Sequence, residues 1–437
     1  MNDTSTKKKY ANSRGVAAGI IAAWLERGDF PDRALDAVTA DRAFVQELVF
    51  GVVRQRRALE WVFRKLVKRE PTTPLFALAL VGLYQLLWLD DVAPFAAVHE
   101  TVEAAKALAG ARAANFLNAI LRRAQREAEA LANELKQLQP ALRLSHPDVL
   151  FDRWRAHFGT VKALAICEWD NTPGETVLRI NTVAPEHFFE QLKQAGIAAQ
   201  PLAALGHDFC ILPRGVRVAD VPGYREGWFA VQDPATSLAV DLLAPQPGEN
   251  ILDACAAPGG KALDIAARLQ GNGLVVALER HTDRLARLRE NVARAGGGLI
   301  RVVQGDAAAP EPARQELLAA GRGEYFDGLL LDVPCSNTGV LRRRPDARWR
   351  FSPDRQKKLI ETQFRLLHGA SALVRPGGRL VYSTCSIEPE ENELLIKRWL
   401  ADRYEFRLVR QRLLLPAEEK TDGAYACLIA RADAVEP

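Results

Sequence analysis

Asn250-Ile-Leu-Asp-Ala-Cys-Ala-Ala-Pro-Gly-Gly-Lys261 is the stretch that decides the fold of this chain. Asn250 to Ala254 reads as a buried strand, the small residues after it as a tight turn, and the segment on to Leu269 as a helix. The same unit then recurs. Leu274 to Leu278 is a strand ending at Glu279, followed by a helix from Asp283 to Ala295. Ile300 to Val303 ends at Gly305-Asp306, and Phe326 to Leu331 ends at Asp332. Gly377 and Gly378 make a turn before a fifth strand, Leu380 to Ser383, which runs into Cys385. Glu388 to Leu400 reads as the next helix, with Pro389 in its first turn. Strands alternating with helices in this way predict a doubly wound parallel sheet, whose ligands bind at the carboxyl ends of the strands.

The chemistry gathers at those ends. The loop Cys255-Ala256-Ala257-Pro258-Gly259-Gly260-Lys261 lets a backbone approach a ligand closely, but its spacing fits neither the dinucleotide fingerprint nor a P-loop. Taken alone it is a tight structural turn, with Cys255 a packing residue. Glu279 and Asp306 change that reading. One acid ends strand two, where it can hold ribose hydroxyls, and the other ends strand three, where it can meet an adenine amino group. Each alone is ordinarily a solvated acid; together with the loop they fit S-adenosylmethionine. Cys335, Cys385 and Asp332 belong to the same edge. A lone cysteine there is most simply a small buried hydrophobe, but two thiols and a carboxyl group beside a methyl donor suit carbon methylation of a pyrimidine. C5 of the ring is a weak nucleophile until a thiolate adds at C6. A free thiol is only a few per cent ionised at neutral pH; the helix start after Cys385 and the basic run from Arg342 are expected to raise that fraction.

At 437 residues the chain is too long for one ordinary core, and two or three domains are expected. Residues 11 to 135 carry apolar positions at helical spacing, broken at Gly28 to Pro31, at Pro71 to Pro74 and around Pro94. Asp41 is the N-cap expected for a helix bearing Arg54, Arg56, Arg57, Arg64, Lys65, Lys68 and Arg69, with only Glu60 to relieve them. This is a helical bundle with a basic side, equally an RNA surface or a solubility device. After a polar stretch, Ala128 to Pro140, the segments Val177 to Asn181, Pro185 to Gln194 and Phe209 to Leu212 suggest a small α+β module or connector. The net charge is only +4, but it clusters at Arg54–Arg69 and Arg342–Lys358; such clusters are usually solvated faces, and two on one chain are compatible with a polyanionic partner. The six cysteines contain no C-x-x-C pair, and His146, His157 and His207 lack ligand spacing, so no metal site or disulfide framework is expected. Met1 to Lys9 reads as a frayed polar tail rather than a signal. The apolar run Leu75 to Leu89 is shorter than the about 20 residues of a membrane span. A cytoplasmic chain is expected.

Asp253-Ala-Cys-Ala-Ala-Pro-Gly-Gly-Lys261, Leu331-Asp-Val-Pro-Cys-Ser-Asn-Thr-Gly339 and Tyr382-Ser-Thr-Cys-Ser386 resemble three motifs of the RNA 5-methylcytosine methyltransferases. The chain is most similar to their bacterial Sun/Fmu branch, which acts on 16S ribosomal RNA. Asp41-Arg-Ala-Phe-Val-Gln-Glu-Leu-Val-Phe-Gly-Val-Val-Arg54 resembles that branch's helical NusB-like domain. The resemblance implies three domains. Residues 1–144 form an all-α NusB-like RNA-binding bundle and 145–235 a small α+β connector module. Residues 236–437 form an α/β Rossmann-like methyltransferase domain dependent on S-adenosylmethionine. It implies that Cys385 attacks C6, that Cys335 helps release the product and that Asp332 is the acid near the base. Cys255 to Lys261, Glu279, Asp306 and Asp332 then form the cofactor site, with Arg284 bracing it. The implied partner is 16S ribosomal RNA, unassembled or partly assembled, met by a monomer without metal or membrane. Residue physics does not rank the two cysteines. Glu279 stands where the branch often has aspartate, and Asp422-Gly-Ala-Tyr425 departs from its usual aromatic pair after Asp-Gly. A vestigial methyltransferase serving as an assembly factor is the alternative, disfavoured by the paired cysteines. A DNA or protein methyltransferase is disfavoured by the Ser-Thr-Cys-Ser motif and by the lack of Asn-Pro-Pro-Tyr.

Overall fold

The computed structural model describes residues 12–181 and 183–433, so the lysine-rich segment Met1 to Lys9 lies outside the described residues. The chain divides into two compact units. One runs to Thr172 and takes in Arg344–Arg350; the other holds Pro173–Arg343 and the residues from Phe351.

The first unit is helical. Its helices begin where the sequence breaks them: Ser13–Arg27 ends at left-handed Gly28, the next starts at Pro31, and others start at Thr73 and Pro94. Thr73–Trp88 is buried continuously from Ala77 to Gln85, which makes it the central helix of the bundle. Among the described residues no helix is long and apolar enough to cross a membrane. Asp41 does precede the helix Arg42–Arg54, but in a left-handed conformation, and its carboxylate accepts from Ser13 Oγ at 2.7 Å rather than capping. The expected single basic helix breaks at Gln55 and continues as Arg56–Leu66. The polar stretch Ala128 to Pro140 contains the helix Ala128–Lys136.

The second unit contains two sheets. Strands β1 (Thr176–Ile180), β2 (Gln200–Ala204), β3 (His207–Leu212) and β4 (Phe229–Val231) form an antiparallel sheet in the order β2-β3-β1-β4. Helix Pro185–Gln194 buries Phe188 and Leu192 in its core.

The larger sheet has β5 (Asn250–Asp253), β6 (Leu274–Glu279), β7 (Ile300–Gln304), β8 (Phe326–Asp332), β9 (Val374–Thr384), β10 (Phe406–Leu414) and β11 (Ala424–Arg431), in the order β10-β11-β9-β8-β5-β6-β7. The five expected strands are parallel, and two further strands that the sequence did not point to make the sheet mixed. β5 to β9 are parallel, whereas β11 runs antiparallel to β9 and β10 to β11. Side-chain alternation splits the core in two. Ile251, Val275, Leu330 and Val381 pack under helices Ser237–Leu243, Gly260–Arg268 and Thr282–Arg294; Leu252, Val276, Leu331 and Tyr382 pack under Glu311–Ala319, Pro353–Ser371 and Glu393–Leu400. Gly377 and Gly378 lie within β9, where its pairing with β8 jumps register, instead of preceding it. The strand order reverses between β5 and β8. The loops after these strands therefore part at that point and open a crevice.

Candidate active site

The parallel register of β8 and β9 sets Asp332 opposite Ser383. Ser383 Oγ donates to Asp332 Oδ1 at 2.8 Å, and Lys261 Nζ donates to Asp332 Oδ2 at 2.7 Å. Both carboxylate oxygens are thus held. Burial works against the Lys261 ammonium, but the charge and hydrogen bond of Asp332 outweigh it and raise its pKa. Lys261 comes from the glycine-rich loop, so that loop and the ends of β8 and β9 meet at this pair.

Cys335 and Cys385 follow the same two strands, and their sulfurs are 3.2 Å apart. They are not equivalent. Cys385 is partly exposed and lines a cleft with about 390 Å³ of empty space, together with Asp332, Lys261, Ser383, Asp422 and Tyr425. Cys335 is 8% exposed and lies behind it. The hydrogen bond with Cys385 and burial push the Cys335 thiol well up, so it stays protonated. Cys385 Sγ also donates to Asn337 Oδ1 at 3.1 Å, and Asn337, at φ 60°, donates its amide to Cys335 O.

A buried hydroxyl network fastens the two cysteine loops. Ser386 Oγ lies 3.0 Å from Ser336 Oγ and 3.2 Å from Thr338 Oγ1, and donates to Glu391. Glu391 also accepts from Ser336 N and Gln363 Nε2. The expected helix Glu388 to Leu400 is in two pieces, a 3-10 turn over Pro389–Glu391 and a helix over Glu393–Leu400, separated by non-helical Asn392. A helix N-terminus therefore does not stand just after Cys385, and a dipole's influence fades within one turn.

In the glycine-rich loop, Gly259 has φ 110°, and a Cβ there would lie 2.9 Å from Leu288 Cδ1. Asn291 Nδ2 donates to Pro258 O, bracing the loop over Ala256, Ala257 and Gly260. Cys255 is half-buried against the core, and burial pushes its thiol far up, which suits packing. Glu279 is 5% exposed and accepts from His281 N. Asp306 accepts from Ala308 N and pairs with Arg280 at 3.2 Å. Arg284 is exposed and makes no side-chain hydrogen bond or ion pair among the described residues; Arg280 holds the acid instead. Asp253, which the sequence reading passed over as a site residue, is buried with neither oxygen hydrogen-bonded, and burial pushes its pKa up to about 7. A crowding-intolerant loop beside unpartnered acid suits a cationic, hydroxyl-bearing ligand.

The basic run corrects most sharply. Arg343 pairs with Asp233 and Asp422, and Arg342 with Glu175. Arg348 is fully buried in the helical unit, donating to the carbonyls of Arg54, Ser145 and Asp170 and to Asn171 Oδ1. Arg355, Lys357 and Lys358 remain exposed. Acids also relieve the first cluster: Arg57 pairs with Asp148, Lys65 with Glu134 and Arg64 with Glu70. The residues that sequence reasoning missed, Asn337, Ser383 and Glu391, carry no signal of their own; they are defined by what they hold.

Residues 240–428 match the family described as 16S rRNA methyltransferase RsmB/F, residues 11–126 the NusB family, and residues 146–218 the ferredoxin-like domain of RsmF/B-like methyltransferases. Ribosomal RNA small subunit methyltransferase B of Vibrio cholerae is 37% identical over 436 residues, covering 96% of this chain and 98% of that one. The Escherichia coli protein of the same name is 35% identical over 445 residues, covering 97% and 100%. The crystal structure of PH0851 shares the fold, with a TM-score of 0.78 at 24% identity over 97% of this chain and 99% of that one. With such relatives along nearly its whole length, the chain belongs to the RsmB family of 16S rRNA (cytosine-C5) methyltransferases.

Proposed function

We propose that this chain forms 5-methylcytidine in 16S ribosomal RNA through a covalent bond between Cys385 and C6 of the target cytosine. The observation that carries the proposal is the pair of sulfurs 3.2 Å apart, one on the cleft and one behind it, beside the Lys261–Asp332 pair. The target base leaves its stack to enter the cleft. Cys385 adds to C6 as a thiolate, and negative charge builds toward N3. The Lys261–Asp332 pair presents an ammonium donor and a carboxylate acceptor to the N3–N4 edge, and Ser383 fixes its orientation. Cys335, kept as a thiol, donates to the Cys385 sulfur when the C6–S bond breaks, which ranks the two cysteines. S-adenosylmethionine, held by the loop Cys255 to Lys261 with Glu279, Asp306 and Asp253, supplies an electrophilic methyl group when bound. The exposed Lys68, Arg69, Arg355, Lys357 and Lys358 contact phosphates, so binding weakens with salt. We place the reaction in the cytoplasm, on RNA not fully assembled, with a monomeric enzyme.

Unmodified 16S transcript and control RNAs incubated with labelled cofactor, followed by mapping, test the substrate. Cys385→Ala should abolish methyl transfer and leave cofactor binding intact, and full activity in that variant would refute the assignment.

A further inference from the structure

The reaction above leaves one proton unassigned. Once C5 is methylated, the hydrogen it carried must depart before Cys385 can leave C6. Most groups on the cleft are committed. Cys335, behind the cleft, stays a thiol against Cys385 Sγ. Lys261 keeps its proton. Asp332 has one oxygen on Lys261 and the other on Ser383. Thr384 Oγ1 donates to Asn392 Oδ1 at 2.7 Å.

Asp422 differs. It lines the cleft, yet its side chain is only 7% exposed. Oδ2 accepts from Arg343 Nε at 2.9 Å, and the backbone N–H donates to Asp233 Oδ1 at 3.0 Å. Oδ1 has no hydrogen-bond partner among the described residues. Backbone lacing fixes this residue beside the nucleophile: Gly339 N donates to Cys385 O at 2.9 Å, and Gly423 N donates to Gly339 O at 2.7 Å. A Cβ on Gly339 would lie 2.5 Å from Gly423 O and 2.9 Å from Cys385 O, so the three segments can close up only around glycine.

We propose that Asp422 Oδ1 accepts the C5 proton of the methylated adduct. The C5–H pair becomes the C5=C6 double bond, the C6–S pair returns to Cys385 with the Cys335 thiol donating to it, and Asp422, now neutral, passes the proton to solvent. Burial, then the negative Asp233, push the Asp422 carboxyl up to about 7 against the pull of Arg343 and Arg342. Lys261 and Asp332 are the other charged groups on the cleft. A carboxylate titrating near neutrality is suited to proton abstraction, and release should accelerate as pH rises through that value.

The proposal rests on the covalent reading, and its test separates the two. Full-length wild type, Asp422→Asn, Asp422→Glu and Cys335→Ala react in single turnover with 16S transcript carrying tritium at cytosine C5 and with carbon-labelled cofactor. Wild type should release tritium in step with methyl incorporation, faster with rising pH between about 6 and 8. Asp422→Asn should take up methyl but retain tritium, holding a methylated protein–RNA adduct on a denaturing gel, with release slowed about 100-fold and its pH dependence lost. Asp422→Glu should restore part of the rate. Wild-type-like tritium release from Asp422→Asn while Cys335→Ala traps adduct overturns the proposal. So does a wild-type release rate that is flat with pH, or loss of cofactor affinity in Asp422→Asn, which would make the residue structural. Absence of adduct from both Asp422→Asn and Cys335→Ala would instead sink the covalent reading.

Discussion

Replacing Lys261 by Met removes the ammonium that holds Asp332 and keeps much of the aliphatic volume. The pair is short, 2.7 Å, and the lysine side chain is only 17% exposed, so solvent screens it less than a surface ion pair. A hydrogen bond to a charged group contributes about 1.5–3 kcal/mol. Losing it where negative charge develops on the ring should slow the chemical step roughly 10- to 150-fold at about 1.4 kcal/mol per decade. Asp332 would keep only Ser383. The assay is rapid-quench methyl transfer in single turnover at saturating RNA and cofactor, with cofactor affinity measured separately by calorimetry. The family resemblance assigns Lys261 to the cofactor site, whereas its hydrogen bond is to Asp332. The geometry therefore predicts that the rate constant falls far more than affinity does. A single-turnover rate within twofold of wild type, with the whole deficit in cofactor affinity, would refute this account of the residue.

Gly259→Ala should weaken S-adenosylmethionine binding about tenfold, because the residue sits at φ 110° and the new Cβ meets Leu288 Cδ1 at 2.9 Å; unchanged affinity by calorimetry would remove the loop from the donor site. Arg348→Met should destabilise the helical unit by about 3–5 kcal/mol, since it leaves a set of buried acceptors without their donor; an unshifted denaturation midpoint would show that this burial is incidental.

The parallel half of the larger sheet was legible because its strands carry apolar runs that end at polar residues, and β5, β6 and β7 each lead into a helix. Leu274–Glu279 is buried at every position, as a strand covered on both faces must be. β10 was not legible. It is an edge strand, exposed from Arg407 to Arg412, so its residues show no period-two alternation to read. The arginine run failed for another reason. Counting charge assumes that arginine faces water, but the acceptors that bury Arg348 come from Arg54, Ser145, Asp170 and Asn171, all distant in sequence. Arg343 is likewise satisfied by Asp233 and Asp422. Long-range partners of this kind leave no local pattern.

The interrupted helix after Cys385 joins the missed structure to the chemistry. A continuous helix from Glu388 would serve the polypeptide's local preferences better than a 3-10 turn ending at non-helical Asn392. The break instead frees two side chains to turn back on the cysteine loops. Asn392 Oδ1 accepts from Thr384 Oγ1 at 2.7 Å and its Nδ2 donates to Ser386 O at 2.9 Å, so it grips the residues on both sides of Cys385. Glu391, fully buried, takes Ser386 Oγ on one oxygen and Ser336 N with Gln363 Nε2 on the other, so it grips the residue after Cys335. A buried carboxylate is tolerated only when such donors surround it. Here two of those donors, Ser386 Oγ and Ser336 N, belong to the two strand-end loops whose sulfurs lie 3.2 Å apart, and the third, Gln363, comes from helix Pro353–Ser371. Local helix geometry is given up at the position where doing so sets the separation of the thiols.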